Sequence, residues 1–404
     1  MSLEGKRKEI QKSKYGVSEN RSKLLPQINA IAGYNNNFDP PVSVTDGSSY
    51  GVPYNITKTL QHSANAGLEM QMPLFNQTLY TSMSIAKVME EISRLSYGKA
   101  REDVILQISK MYYLGQVTAE QIMLIKANIT RLEELRDITL AFFDNGMSME
   151  VDLKRVNINL ENLKVQYDNA QAMMKQQLNM LKYIMDYPAE KEIALTPVNT
   201  DSITTVALTG LSENIYELQL SQSQVQLAER QKKIITNGYI PSLSLTGSWR
   251  YAAYTDKGYH WFHSGPSNQW FRSYGVGLTL RIPIFDGLDK TYKIKKAMID
   301  IENKRLAWED ARKNLQTQYL NAVNDLMNNQ RNFKKQKDNY LLAEDVYAVT
   351  SDRYREGIAS MTEVLQDEMQ MSEAQNNYIS AHYNYRVTNL MLLKLTGQIE
   401  SLVK

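Results

Sequence analysis

Cysteine is absent from this 404-residue chain, which excludes disulfides, thiol catalysis and thiolate metal sites together. Histidine is scarce at four residues, so little material remains for a metal cluster. Proline is scarce too, with 10 residues, most of them clustered near a few Gly-rich stretches. No apolar run approaches the ~18–20 residues that a spanning helix needs. Charge of one sign is missing as well. The 46 Lys+Arg stand against 44 Asp+Glu for a net charge of +2, so no global basic field points to nucleic acid. Catalytic signatures are lacking: there is no GxSxG, HExxH or P-loop, and Gly275 and Gly277 lie in a strand pattern, not ahead of a phosphate-binding helix. The sequence therefore predicts neither an enzyme nor a bound metal or cofactor.

What is present is a folded chain, 43% apolar and 22% charged, with 25 Tyr. Its opening, MSLEGKRKE, is charged and has no apolar core of the secretory kind. With the vector-like MSLEG start, this leads us to expect that a native signal or lipid-anchor segment has been trimmed.

The dominant feature is an internal duplication. LLPQINAIAGY (24–34) resembles YIPSLSLTGSW (239–249), with Pro26 and Pro241 as anchors at an offset of 215. AGLEMQMPLFN (66–76) matches VGLTLRIPIFD (276–286), setting Pro73 against Pro283 at an offset of 210. FFDNG (142–146) matches RYREG (353–357), and from there the offset holds at 211 through Tyr167/Tyr378 to Asp186/Gly397.

Each half starts with period-two alternation, which marks a sheet with one apolar and one polar face. Leu243, Leu245, Gly247, Trp249 and Tyr251 alternate with Ser242, Ser244, Thr246, Ser248 and Arg250, and Tyr274, Val276, Leu278, Leu280 and Ile282 with Ser273, Gly275, Gly277, Thr279 and Arg281. Ala64, Ala66, Leu68, Met70 and Met72 repeat the pattern in the first half, and Ile28, Ala30, Ala32 and Tyr34 follow it more weakly. The boundaries read as strands over 26–38, 63–76, 240–253 and 272–285. A length of ~10–13 residues suits a transmembrane strand, although an ordinary amphipathic sheet has the same pattern. Turn-rich loops join the pairs at 39–61 and 254–271. The second is dense in aromatic residues, suited to a membrane interface or to a loop folded on its own rings. His260 and His263 stand in it three apart without an acidic partner nearby.

Long helices follow each pair. Residues 77–143 and 287–355 have no Pro, and their few Gly are Gly98, Gly115 and Gly287. Such a run would span ~100 Å if continuous. Returning helices read over 147–186 and 358–397. The first carries a heptad-like seam of Leu153, Val156, Leu160, Leu163, Tyr167, Ala170, Met174, Leu178, Leu181 and Met185. The seam 211 residues on is partly polar (Val364, Asp367, Met371, Ala374, Tyr378, Ala381, Tyr385, Asn389, Leu392 and Thr396), as expected for a helix that packs in a wall and borders water. Met on these helices reads as gap-filling. The first repeat thus spans 1–186, opening on a short helix. Residues 187–212 form a Pro- and Thr-containing connector, and the second repeat spans 213–404, opening on a helix over 213–237. Seams alone fit an elongated soluble coiled-coil structural or adaptor protein, but duplicated hairpins have no use in such a rod.

The ordered set of helix-to-strand junctions (RSKLLPQI, NGYIPSL), strand-to-helix junctions (MPLFN, IPIFDG) and turns (FDNGMSMEVDL, YREGIASMTEVL) resembles the TolC family of outer-membrane efflux and secretion ducts. That resemblance covers nearly the whole chain. It implies a mainly α fold with β, in which three chains build a twelve-stranded β-barrel in the outer-membrane lipid above an α-helical barrel crossing the periplasm. The implied partners are two further copies of the chain, a periplasmic adaptor and an inner-membrane transporter, exporting small molecules or proteins. Pro26, Pro73, Pro241 and Pro283 stand where helix meets strand, and Gly287 permits the turn into a long helix. Gly146 and Gly357 read as left-handed helix stops. With Asn145 and Glu356 beside them, the resemblance makes them tip turns that touch the adaptor. Six residues beyond each Gly stand Asp152 and Glu363, an offset at which the family often rings its constriction with acid. Both also suit an early helical turn. In some relatives an Arg occupies the position of Ala359.

Overall fold

The computed structural model describes residues 3–46, 48–197, 210–256 and 270–403. Most of the connector (198–209) and of the aromatic loop (257–269, with Tyr259, His260, Trp261, Phe262 and His263) lies outside them. The chain forms two compact units, each drawing on both halves of the duplication: Met1–Arg94 with Ser221–Ala307, and Leu95–Leu220 with Trp308–Lys404.

The first unit holds the sheet. Strands β1 (Gln27–Asn36), β4 (His62–Phe75), β5 (Ser242–Thr255) and β6 (Trp270–Arg281) pair antiparallel in the order β1-β4-β5-β6. The middle pair therefore joins the two repeats. Helices α1 (Leu3–Ser22) and α4 (Tyr216–Asn237) lead into β1 and β5. The opening helix is not short: it has 20 residues against 22 in α4. No Pro interrupts it, and exposed i,i+4 pairs such as Lys8–Glu4 run along it. The 39–61 loop, read as turn-rich, also contains a hairpin of β2 (Val42–Asp46) and β3 (Tyr54–Lys58). Its turn opens where Asp46 Oδ1 accepts from the Ser48 N–H at 2.9 Å.

Strand β6 stops at Arg281, paired with Ser242, four residues before its expected end. Pro241 precedes β5 and Pro283 has no N–H to donate, so neither side can extend the ladder. In β4, Pro73 sits where the register to β5 shifts, at a bulge between Pro73 and Phe75.

Long helices α2 (Gln77–Asp144) and α5 (Asp289–Arg355) run on from the sheet, and α3 (Glu150–Ile184) and α6 (Met361–Leu395) return. The returning helices begin three residues later than the periodicity suggests, because a left-handed stop and an N-cap occupy the positions between. In the second unit, the α3 seam residues Val156, Leu160, Leu163 and Ala170 join Leu132 and Leu135 of α2, Tyr347 and Tyr354 of α5, and Val364 and Met371 of α6 in one core. The α6 seam borders water less than its polar content implies. Leu365, Gln375, Ile379 and His382 beside it are buried too, so α6 is enclosed on two flanks.

Candidate functional site

Antiparallel partners share a face, so the register decides which side chains stand together. Ile28, Met70, Gly247 and Val276 form one row across the four strands. Ala30, Leu68, Trp249 and Tyr274 form the next, and Met72, Leu245 and Leu278 line up on the other side. The opposite face carries Gln27, Gln71, Thr246 and Gly277, then Asn29, Glu69, Ser248 and Gly275. In these rows the sheet is apolar on one side and polar on the other across all four strands, while nearer the loop ends Arg272 falls on the apolar side and Phe271 on the polar one. Its apolar side is bare at the β6 edge, where Tyr274 is 78%, Val276 80% and Leu278 67% exposed. Among the described residues, β1 and β6 are the outer strands of this sheet, each with a strand neighbour on one side. Among the described residues no helix is long and apolar enough to cross a membrane. The sheet strands, at 10 to 14 residues, have the length of a spanning strand.

Each junction residue has a local reason. Pro26 and Pro241 directly precede β1 and β5, and Pro283 lies just past β6. Gly287 adopts φ +66° and Leu288 follows at +70°, so two left-handed residues in succession turn the chain into α5. There Asp286 receives the Lys290 N–H at 3.2 Å and its Nζ at 3.0 Å.

The two tip turns share one backbone. Gly146 has φ +73° and Gly357 φ +78°. At the first, the Gly146 N–H donates to Phe143 O and the Met147 N–H to Phe142 O, at 2.9 and 2.8 Å. At the second, the Gly357 N–H donates to Tyr354 O and the Ile358 N–H to Arg353 O, again at 2.9 and 2.8 Å. These are the crossed bonds of a left-handed helix stop. Asn145 adds a side-chain bond to Ala141 O at 2.7 Å, and Glu356 occupies the equivalent position.

The acidic pair differs. Glu363 is spent on a capping box: the Ser360 N–H donates to Glu363 Oε2 at 2.9 Å, and the Glu363 N–H to Ser360 Oγ at 3.3 Å. Asp152, its side chain 15% exposed, pairs with Arg155 at 3.2 Å. Arg155 also reaches Thr362 Oγ1 at 3.5 Å. Asp152 is thereby tied to the residue before Glu363 on the neighbouring helix.

Sequence periodicity missed a polar network inside the second unit. Glu120 of α2 accepts from Tyr378 Oη at 2.8 Å and meets His382 Nδ1 at 3.2 Å, while Arg386 Nε donates to His382 Nε2 at 2.9 Å. With Nε2 accepting from Arg386, Nδ1 is the nitrogen left to donate to the carboxylate. Burial pushes Glu120 up, but the bonds from His382 and Tyr378 and the charge of Arg386 outweigh it and hold the carboxyl below its ordinary range. Phe333 packs on this imidazole, 4.9 Å between ring centres. The one signal in the sequence was the polar content of the second seam, Tyr378 included.

A family model described as outer membrane efflux protein matches residues 2–185 and 207–398. The outer membrane protein TolC of Vibrio cholerae is 21% identical over 399 residues, covering 95% of this chain and 84% of that protein. A Pseudomonas putida protein named probable efflux pump outer membrane protein TtgC is 23% identical over 379 residues, covering 89% and 75%. Among solved structures, CusC superposes with a TM-score of 0.80 at 16% identity, covering 98% of this chain and 88% of that one. The open state of the Neisseria gonorrhoeae MtrE outer membrane channel gives 0.76 at 18%, covering 98% and 86%.

Proposed function

This chain belongs to the outer membrane efflux protein family, and on that footing we propose that three copies form an export duct of the outer membrane. The observation that carries the proposal is the sheet: four strands of membrane length, apolar on one face and polar on the other, with β1 and β6 as its outer strands. Four strands cannot enclose a lumen, whereas twelve can, and joining β6 of one copy to β1 of the next leaves no edge unpaired. The apolar face then meets lipid and the polar face meets water. The long helices continue the passage into the periplasm, where the Gly146 and Gly357 turns, with Asn145 and Glu356, would meet a periplasmic adaptor linked to an inner-membrane transporter. Small molecules are the cargo class we favour, because the relatives whose names state a role are efflux pump components.

Asp152 and Glu363 would each appear three times at the mouth. Asp152, aimed at the neighbouring tip through Arg155, is the better candidate for gating, since the capping box already engages Glu363. Replacing Asp152 with Asn should raise conductance or weaken block by multivalent cations in single-channel recordings. Unchanged records would remove it from the mouth.

The assembly is tested by extracting the chain with detergent, measuring its mass against the 46.4 kDa protomer, and comparing Leu278→Arg with Thr279→Arg. The first puts a charge on the lipid side and should cost ~2–4 kcal/mol of assembly stability, whereas the second should be tolerated. Equal tolerance, or a monodisperse soluble monomer, would sink the proposal.

A further inference from the structure

The polar face of the sheet holds one pair of opposite charges away from the strand ends. Register sets Gly67 of β4 directly opposite Arg250 of β5, with Glu69 two residues along β4 on the same face. A Cβ at Gly67 would lie 2.3 Å from the Trp249 carbonyl oxygen, 2.8 Å from Arg250 Cα and 3.1 Å from its Cγ. The two nearest are backbone atoms, so Gly67 first lets β5 approach this closely, and its missing side chain also leaves the Arg250 side chain room beside it. Arg250 Nη2 pairs with Glu69 Oε1. Around the pair the side chains are small. Ser248 faces Gly275, Thr246 faces Gly277, and a recess of about 480 Å³ opens there, with Asn29 and Gln71 also in its lining. Among the described residues of this face the other charge is Arg281, at the end of β6.

Resting on the reading that this face lines the duct, we propose that Arg250 and Glu69 set the charge selectivity of its membrane-embedded part. Laid flat over Gly67, each pair cancels its own charge and leaves the passage wide. Three copies form a belt with no net charge, which admits solutes of either sign. Removing one partner exposes three like charges to the lumen at one level, where they act across water on any charged solute within a Debye length.

The absence of Cys from the chain provides the probe. Ser248 pairs with Glu69 across β4 and β5, so the full chain carrying Ser248→Cys is reconstituted into phosphatidylethanolamine–phosphatidylglycerol vesicles. It is then reacted from outside with thiol reagents of matched size, one cationic and one anionic. Adding Glu69→Gln should raise the anionic-to-cationic rate ratio by roughly tenfold, and Arg250→Gln should lower it by as much. The double variant should return to the ratio of Ser248→Cys alone, a readout that a merely structural pair would not produce. Where a neutral variant fails to assemble, Glu69→Asp and Arg250→Lys keep the charges and should hold the unmodified ratio. A ratio indifferent to both single neutralisations overturns the charge belt and leaves the duct intact. A cysteine that neither reagent reaches in vesicles, yet both label in detergent, overturns the duct reading itself.

Discussion

The two returning helices, α3 and α6, are counterparts 211 residues apart, equal at 35 residues each, and they have been put to different uses. α3 buries six residues, five of them on its seam, whereas α6 buries fifteen on two flanks. Away from its seam α3 exposes Val151, Ile158, Val165, Met173 and Met180, close to a seven-residue step. That stripe has the spacing of a helix–helix seam and is exposed among the described residues, which fits the proposed packing of neighbouring copies. Duplication preserved backbone and turns. Packing then made one copy an interior helix and left the other as wall.

The comparison can be broken most directly at His382. His382→Ala removes a fully buried imidazole together with its bonds to Glu120 and Arg386 and leaves a cavity against Phe333. It should cost about 2–4 kcal/mol, while the counterpart Gln171→Ala, on the half-exposed flank of α3, should stay within about 0.5 kcal/mol. Thermal midpoints of the detergent-solubilised protein decide it, and similar losses at both sites would mean that the two helices are packed alike.

The second test uses pH. Glu102 of α2 is buried, and burial pushes its carboxyl up to about 7, against the pull of Lys394 near the end of α6 and with help from Glu400 and Asp103. The counterpart of Lys394 on α3 is Tyr183, which is 79% exposed. A carboxyl raised on folding favours the folded state fully below about 4.5, and that contribution is lost as pH rises through about 7. Glu102→Gln should therefore match the parent near pH 4.5 and melt at a higher temperature at pH 8. Equal midpoints at pH 8 would place Glu102 in contact with water.

Smaller effects lie at the caps. Ser360 caps α6 by side chain, and its counterpart Met149 makes no side-chain cap bond on α3. Ser360→Ala should cost about 1 kcal/mol and Met149→Ala almost nothing, while Met149→Ser should gain a few tenths. Denaturant midpoints that fall equally for the two Ala variants would show the capping box to be idle.

The smallest concerns Asp186 and Gly397, which end the two helices with φ of +54° and +71°. Asp186→Gly should gain about 0.5 kcal/mol by relieving a left-handed L-residue. Gly397→Asp should lose more, because its Cβ would also come within 3.3 Å of Ser212 Oγ. Opposite signs in the same melting assay are required.

Sequence by itself determined what depends on near neighbours. Period-two alternation marked the four sheet strands and their two faces, an absence of Pro marked the long helices, and repeated Gly marked the tip stops at Gly146 and Gly357. Helix starts drifted because stop and cap together consume three residues without any periodic signal. The 42–58 hairpin escaped notice because its strands are five residues each, too short to display a period. Tertiary structure alone decided which returning helix is interior, because burial is set by partners far along the chain: Tyr378 reaches Glu120 across 258 positions. It also decided that Arg155, the partner of Asp152 on its own helix, reaches Thr362 of α6, whereas the Ser360–Glu363 capping box is local and follows from Ser360 standing where α3 has Met149. Finally, it set Arg250 over Gly67. Only strand register brings those two together, and no local pattern encodes a register between segments that lie 183 residues apart.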